Sequence, residues 1–549
     1  MAGWMAADHA RQGGMNVIVA DMGFIGKCGQ SPYATAMYVF DTENGRSVSD
    51  VVDYVHRSGE YITNKKWSEI DISESNKIYE ELKSWGIEFH STLRPESSME
   101  AELMADRSQG FKNSAKFSDT YGESFGATAR KHLLGTGVKL LDRVMITNLI
   151  LQDGRASGAV GFSEDDGQFY VIEAGAVIMC TGGCGMKAPG YPMVAVSTGD
   201  GERMAFEAGA DLLGKEFPQP MRSTAENPAI LRGRKIRPDT PLGDGSVTRG
   251  VLFPGQWSSG EEKFEERGEK TSGYMLSYLD HELAFHEVQG PITYSQDGDT
   301  YHVTSGAALG MAIRKSDGIW PADYECRTSV PGLYAAGDSL GTMQNGAVYT
   351  LVGGSIEGCA ATGAIAGDSA ARDINGYSAA SPSEEAIRCA LEKAEAPLKR
   401  KNGYSAAWIV KLVQNLFMPY YISYIKKADR LESALVQLDF IKEHLLPSVM
   451  ASNTHELRLA HEAASIVLTT EIRLRTSLMR TESRGMHFRE DFPYRDDENW
   501  LAWIKVRNED NGIQLEKVPV PEDWRPPQGL SYAEKYPYVF PGEEERGLR

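Results

Sequence analysis

The sequence predicts an α/β fold containing a nucleotide-binding unit, followed by a helical region. Three observations predict it. The chain opens on a small-residue helix that leads through Gly13-Gly14 into the β-branched run Val17-Ile18-Val19, which ends in Asp21. Glycine-rich turns recur far downstream, each after a short apolar strand and ahead of a helix. After residue 376 the pattern turns to long amphipathic helices.

In a dinucleotide-binding unit a strand enters a glycine loop, and the next helix points its N-terminus at a pyrophosphate. The stretch from Ala2 to Ala10 fits that helix, with Gly3 as the last loop glycine. Asp21 stands where an acidic side chain takes ribose hydroxyls. The earlier glycines of such a loop fall before Met1, so the sequence reads as entering the loop midway. Weak nucleotide binding is therefore expected of the chain as written.

Composition narrows the classes. With 549 residues, several domains or one large domain with insertions are expected. The net charge of -19 and the lack of a basic cluster argue against nucleic acid. At 41% hydrophobic residues, no apolar run approaches the length of a membrane span. Six scattered cysteines (Cys28, Cys180, Cys184, Cys326, Cys359 and Cys389) fit a reducing, cytoplasmic setting, and no ligand set for a metal or an iron-sulfur cluster is visible.

Further along, VKLLDRVMITNLILQDGRASGAVGF reads as a hairpin about Asp153-Gly154. The buried strand Ala176 to Cys180 then runs into Thr181-Gly182-Gly183, where missing side chains let a ligand approach the backbone. Thr198-Gly199-Asp200-Gly201 precedes an amphipathic helix and leaves free N–H groups at its start. VPGLYAAGDSLG gives a strand ending near Asp338, followed by a glycine-rich turn into the small-residue helix of GGSIEGCAATGAIAG.

In this order the stretches resemble the flavoprotein subunits of the fumarate reductase and succinate dehydrogenase family, which includes the adenylylsulfate reductase α subunit. The resemblance covers roughly residues 1 to 510. It implies a Rossmann-like FAD-binding domain split by an α+β capping domain, followed by a helical C-terminal domain. The corresponding boundaries are 1–213 and 306–375 for the FAD-binding parts, 214–305 for the cap, 376–510 for the helical domain and 511–549 for an extended tail that could lie on a partner.

Carried over by position, the resemblance assigns FAD to a set of residues. Gly3 matches the pyrophosphate loop, Asp21 the ribose acid, and Ser31 the diphosphate and ring edge. Val144 matches the residue whose backbone meets the adenine, Thr181 and Gly182 the ATGG turn, and Asp200 the acid near the flavin. Asp338 takes the place of a Glu that binds the ribityl chain. Ser355 and Ile356 match the pair whose helix N-terminus stabilises negative charge on the reduced ring. The stretch CGQSPY lacks the His of the family's covalent attachment motif, so FAD is expected to be non-covalent.

The cap departs from the pattern of enzymes acting on C4 dicarboxylates. TRGVLFPGQWSSGEEKFEER matches their proton-shuttle motif loosely, with Arg249 at the shuttle position and Phe264 at its end. YHVTSGAA resembles the segment returning the chain to the flavin domain, which places His302 at the substrate site. Two substrate anchors are absent: EFPQPMRS around Phe217 lacks the motif's His, and Thr350 stands where an Arg would grip a carboxylate. A substrate other than fumarate or succinate is therefore expected, in a pocket to which Arg222, Tyr33, Trp257 and Tyr349 are near by position. Adenylylsulfate-type sulfur chemistry and a non-catalytic electron-transfer flavoprotein are the alternatives.

TESRGMHFREDFPYRDDENW resembles the family's C-terminal signature almost without a gap. Its Arg484, Arg489 and Arg495, alternating with Glu482, Asp491, Asp496 and Asp497, suit a buried or interfacial ion-pair network rather than catalysis. The chain has no haem motif and no ferredoxin cysteine run. A separate iron-sulfur subunit is the partner the resemblance implies, and a homo-oligomer is compatible with it.

Overall fold

The structure is a computed structural model that describes residues 1–33, 36–40, 47–91, 114–117, 123–187, 197–217, 219–221, 292–296, 299–303, 308–310, 318–347, 354–376, 381–423, 425–510, 512–536 and 547–548. Helix α1 (Ala2–Gln12) leads into strand β1 (Ile18–Asp21). Further helices follow at α2 (Val48–Ser58), α3 (Lys65–Ser84) and α4 (Glu123–Gly135). Strand β2 (Lys139–Asp142) then pairs parallel with β1, bringing Asp21 opposite Asp142.

The predicted hairpin is present. Strands β3 (Val144–Gln152) and β4 (Arg155–Ser163) pair antiparallel, and β5 (Phe169–Glu173) extends them. Between Gln152 and Arg155, Asp153 and Gly154 both have positive φ, at 50° and 75°. That is the type I′ geometry whose twist matches a two-residue hairpin. A second parallel pair joins β6 (Val177–Met179) to a strand far away in sequence, Leu333–Ala335.

Helix α5 (Asp200–Glu207) precedes strand β7 (Leu212–Leu213). Of the segment between 214 and 305, the described parts are 214–217, Gln219–Met221, and a hairpin of β8 (Ile292–Gln296) and β9 (Asp299–Val303). The chain returns through β10 (Gly318–Ile319) and β11 (Leu333–Ala335) to the helix α6 (Gly354–Gly376).

Helices α1 and α6 pack at backbone distance. A Cβ on Gly363 would lie 2.4 Å from the Ala2 carbonyl oxygen, and one on Gly367 would lie 2.5 Å from that of Ala6. Neither contact admits a side chain, so these glycines are what let the two helices touch. On the flanks, Trp4, Met5, Ala360 and Ala364 are buried in one apolar cluster with α4 residues Phe125 and Ala129.

The helical region is built from α7 (Glu384–Lys399), α8 (Ala406–Phe417), α9 (Ala428–Phe440) and α10 (Thr454–Met479). Asn453 caps α10 by accepting from the Glu456 N–H at 2.9 Å. Ile409, Val413, Leu431, Leu438, Ala463 and Ile466 interlock as the core between the last three helices.

The predicted extended tail is corrected by the structure. Strand β13 (Gly512–Pro519) forms a hairpin with β12 (Ala502–Glu509), and β12 pairs with β7 to complete a four-stranded sheet with β10. Beyond it, Val520 and Tyr536 are buried in a cluster with Tyr61, Met343 and Trp503. The segment is held by its own chain because Val520 and Tyr536 bury their apolar surface in that cluster. Proline and glutamate content gave no sign of that.

The helix contact yields a test. Gly363→Val should destabilise the protein by about 1–3 kcal/mol or more through overpacking against the Ala2 carbonyl. Gly135→Ala, where a Cβ meets nothing within 4 Å, should be neutral or stabilising by up to about 1 kcal/mol. Urea denaturation of both variants measures the difference.

Candidate functional site

The sequence-assigned residues gather at the carboxyl ends of the parallel strands, where ligands of open α/β sheets bind. Asp21 ends β1, and its Oδ1 accepts from the Gly23 N–H at 2.7 Å. The Gly23 carbonyl in turn accepts from the Arg143 N–H at 2.8 Å. This fixes the loop after β1 against the first residue of β3, the buried Val144. Arg130 pairs with Asp142 at 2.6 Å, and Asp142 accepts from the Ile25 N–H at 2.8 Å, so the same loop is tied a second time. Ser31 accepts from the backbone nitrogen of Met1 at 2.7 Å, which sets it beside the start of α1 and Gly3.

Gly3 is less confined than its motif suggests, since a Cβ there would meet only Cys180 Cβ at 3.5 Å. The tight position is Gly337, with φ of 65° and a would-be Cβ 2.7 Å from Ala2 Cβ. That turn delivers Asp338, whose Oδ1 accepts from Ser355 Oγ at 3.4 Å and Cys359 Sγ at 3.7 Å. Ser355 and the buried Ile356 stand in the first turn of α6. On the facing turn, Thr181 Oγ1 lies 3.2 Å from Ser339 Oγ, which donates to the Gly182 carbonyl at 3.3 Å. Gly182 has φ of 71°, and a Cβ on it would enter open space.

Asp200 begins α5 but turns toward the helical region. Its Oδ1 accepts from Ser465 Oγ of α10 at 2.6 Å and its Oδ2 from Thr198 Oγ1 at 2.5 Å. Oδ1 thus joins α5 to α10, while Oδ2 is held by the loop that leads into α5.

Of the residues assigned to substrate chemistry, His302 lies on β9 opposite Thr293. Arg249, with Arg222, Trp257, Phe264, Tyr349 and Thr350, lies outside the described residues. Tyr33 closes a short 3-10 turn with Ser31. Phe217 is buried, its ring edge-on to His487 at 6.1 Å and beneath the Arg480 guanidinium at 5.0 Å.

The charged signature near the C-terminus is a buried ion-pair network. Arg484 binds both oxygens of Glu482, at 2.8 and 2.9 Å, and reaches Asp497 at 2.8 Å. Arg480 bridges Glu482 at 2.8 Å and Glu216 at 2.9 Å. Arg489 grips Asp491 with two bonds, and Arg495 grips Glu60 likewise, at 2.6 and 2.9 Å. Asp496 departs from the expectation: it caps the short helix Asp497–Trp500 by accepting from the Asn499 N–H. Burial comes first among the causes that push Lys426 and His487 toward their neutral forms. Lys426 Nζ then donates to the Glu216 carbonyl at 2.6 Å and to His487 Nδ1 at 2.9 Å. His487 Nε2 donates to the Arg480 carbonyl at 3.2 Å.

Comparison with known proteins decides what this site belongs to. Residues 1–232 match the FAD binding domain family, and residues 414–532 match the fumarate reductase flavoprotein C-terminal family. The chain is an FAD-dependent oxidoreductase that carries both of these domains and is related to fumarate reductase and succinate dehydrogenase flavoproteins.

Among its relatives, an uncharacterized FAD-dependent oxidoreductase of Methanocaldococcus jannaschii is 26% identical, covering 90% of this chain and 92% of that one. A chain of the CoM/CoB fumarate reductase of Methanothermobacter marburgensis is 24% identical, with 90% and 93% covered. In fold, the flavoprotein is similar to a mutant quinol fumarate reductase chain of E. coli, with TM-score 0.75 at 18% identity over 94% and 95% of the two chains. It is also similar to adenylylsulfate reductase of Archaeoglobus fulgidus, with TM-score 0.71 at 19% identity over 95% and 94%.

FAD is the cofactor of this family, and the geometry suits it. The open space at Gly182 and the N–H groups at the start of α6 are what a large planar anionic ligand needs. Sequence reasoning missed the network's remote members, Glu60, Glu216 and Lys426. They lie singly in ordinary surroundings, and only the fold brings them to the signature. Among the described residues no helix is long and apolar enough to cross a membrane.

Removing Arg480 takes the ion-pair partner from the buried Glu216 carboxylate, while Glu482 keeps Arg484. Arg480→Ala should therefore cost about 3–5 kcal/mol. An exposed pair such as Arg388–Glu385 should cost less than about 1 kcal/mol when broken by Arg388→Ala. Chemical denaturation midpoints of the two variants test the contrast.

Proposed function

We propose that this flavoprotein transfers hydride between the N5 position of a non-covalently held FAD and a small polar substrate other than fumarate or succinate, exchanging electrons with an iron-sulfur partner. The observation that carries the substrate reading is Thr350 in the place of the carboxylate-gripping Arg, together with the missing His in EFPQP. A bidentate Arg–carboxylate contact cannot be replaced by a threonine hydroxyl without a large loss of dicarboxylate affinity. The non-covalent reading rests on the His-free stretch from Met22 to Ser31.

The bound FAD supplies a two-electron centre. The chain's own contribution is to hold it and to manage protons and charge around it. Asp21 would hold the adenosine ribose and Asp338 the ribityl chain, with the Thr181-Gly182 turn letting the cofactor approach the backbone. The N–H groups of Ser355 and Ile356, in the first turn of α6, would stabilise negative charge on the reduced ring. Arg249 and His302, carried by the segment between the two FAD-binding parts, serve the substrate proton. Sulfur chemistry of the adenylylsulfate type is the second reading, favoured by Asp338 in its AAGD form.

The purified protein should show the two flavin absorbance bands and release FAD on acid denaturation. When reduced without oxygen, it should fail to be reoxidised by fumarate at a catalytic rate. Rapid reoxidation by fumarate, or FAD that remains bound to the denatured chain, would overturn the reading. With the true substrate, Arg249→Lys should retain FAD and slow turnover about 100-fold or more, the range of a lost acid–base group. Stopped-flow flavin absorbance measures it.

A further inference from the structure

Two carboxylates meet behind the start of α6. Asp71 of α3 and Glu357 of α6 are both buried, at 4% and 0% exposure. Asp71 Oδ2 accepts from Gln344 Nε2 at 3.1 Å. The Gln344 amide is oriented by Thr342 Oγ1, which donates to its Oε1 at 2.7 Å. Asp71 Oδ1 and both oxygens of Glu357 accept no hydrogen bond from any described residue. A Cβ on Gly358 would lie 2.6 Å from Asp71 Oδ1, so this carboxylate is pressed against the first turn of α6.

No cation balances the pair among the described residues. The groups acting on it are Glu74 from α3, Cys359 from α6 and the neutral Gln344 from the loop before α6. Two buried carboxylates cannot both ionise there, because each charge would be desolvated and repelled by the other. One proton removes both difficulties: the protonated carboxyl becomes a donor and the other its acceptor.

We propose that Asp71 and Glu357 share a single proton and act as a positioning pair that sets the charge behind the flavin-facing end of α6. The coupling rests on the reading above that Ser355 and Ile356 meet the flavin ring. With one proton the pair carries one negative charge. When that proton leaves to solvent the charge doubles, close behind a helix end whose positive character favours electrons on the ring. The flavin is then harder to reduce. Reduction near the titration point therefore draws a proton from solvent onto the pair.

Burial pushes the Asp71 carboxyl up to about 7, and burial followed by Asp71 pushes Glu357 upward too. The folded protein thus holds a proton that the unfolded chain has released above the ordinary carboxylate range. By linkage this stability is present at low pH and is lost as pH rises through about 7.

The test uses the full-length protein with FAD and the variants Glu357→Gln and Asp71→Asn, which keep shape and supply an amide donor. Infrared difference spectra across the pH range should show a protonated-carboxyl band in the parent that both variants lose. The fall in thermal midpoint between about pH 5 and about pH 9 should shrink in both. The flavin reduction potential should lose its extra fall above neutral pH.

A band that survives in both variants, or parallel stability profiles for all three proteins, overturns the shared proton. Loss of the band with an unchanged potential profile overturns the coupling to the flavin. Absence of flavin absorbance in a parent that still shows the band overturns the cofactor reading and the coupling with it, but leaves the shared proton supported.

Discussion

The backbone contact between α1 and α6 is the constraint on which the site depends. Helices with ordinary side chains stay 8–10 Å apart, roughly the width of an interdigitated layer. Here Gly363 and Gly367 remove that layer, and the carbonyls of Ala2 and Ala6 sit where Cβ atoms would be. Close approach joins the first residues of the chain to a helix more than three hundred positions later. Because Gly337 is pressed on Ala2 from the third side, the Asp338 turn is set by the same contact. Position in the site is thus a consequence of missing side chains rather than of added polar ones.

A second constraint is electrostatic and acts at the C-terminal signature. Burying Arg480, Arg484, Arg489 and Arg495 is tolerable only because each meets a carboxylate, and the first three also meet backbone carbonyls. Two of those carboxylates come from distant segments, Glu60 after α2 and Glu216 after β7. The network therefore binds the N-terminal helices, the entry to the cap and the C-terminal hairpin into one unit. Phe217 and His487 sit on its edge, so residue 217 is anchored by packing against the network.

Charge is handled differently in the two places. In the arginine network each negative group has a permanent cation, and protonation is unnecessary. Between Asp71 and Glu357 there is none among the described residues, and the proton itself becomes the counter-charge. One arrangement fixes geometry over a wide pH range, and the other makes a helix end sensitive to it.

By itself the sequence determined the α/β class, the hairpin at Asp153-Gly154 and the kinship with fumarate reductase flavoproteins. These are local signals: strand period, turn chemistry and short motifs act within a few neighbours and survive being read one segment at a time. It also showed the arginines of the C-terminal signature, because they are dense. The tertiary structure decided what those signals meet. It tied Asp200 to Ser465, moved Asp496 from the ion-pair network to a helix cap, and folded residues 512–536 onto their own chain. Pairings such as Glu60 with Arg495, or Asp71 with Glu357, link residues hundreds of positions apart. Burial and partner are properties of the packed molecule, and a linear pattern carries neither.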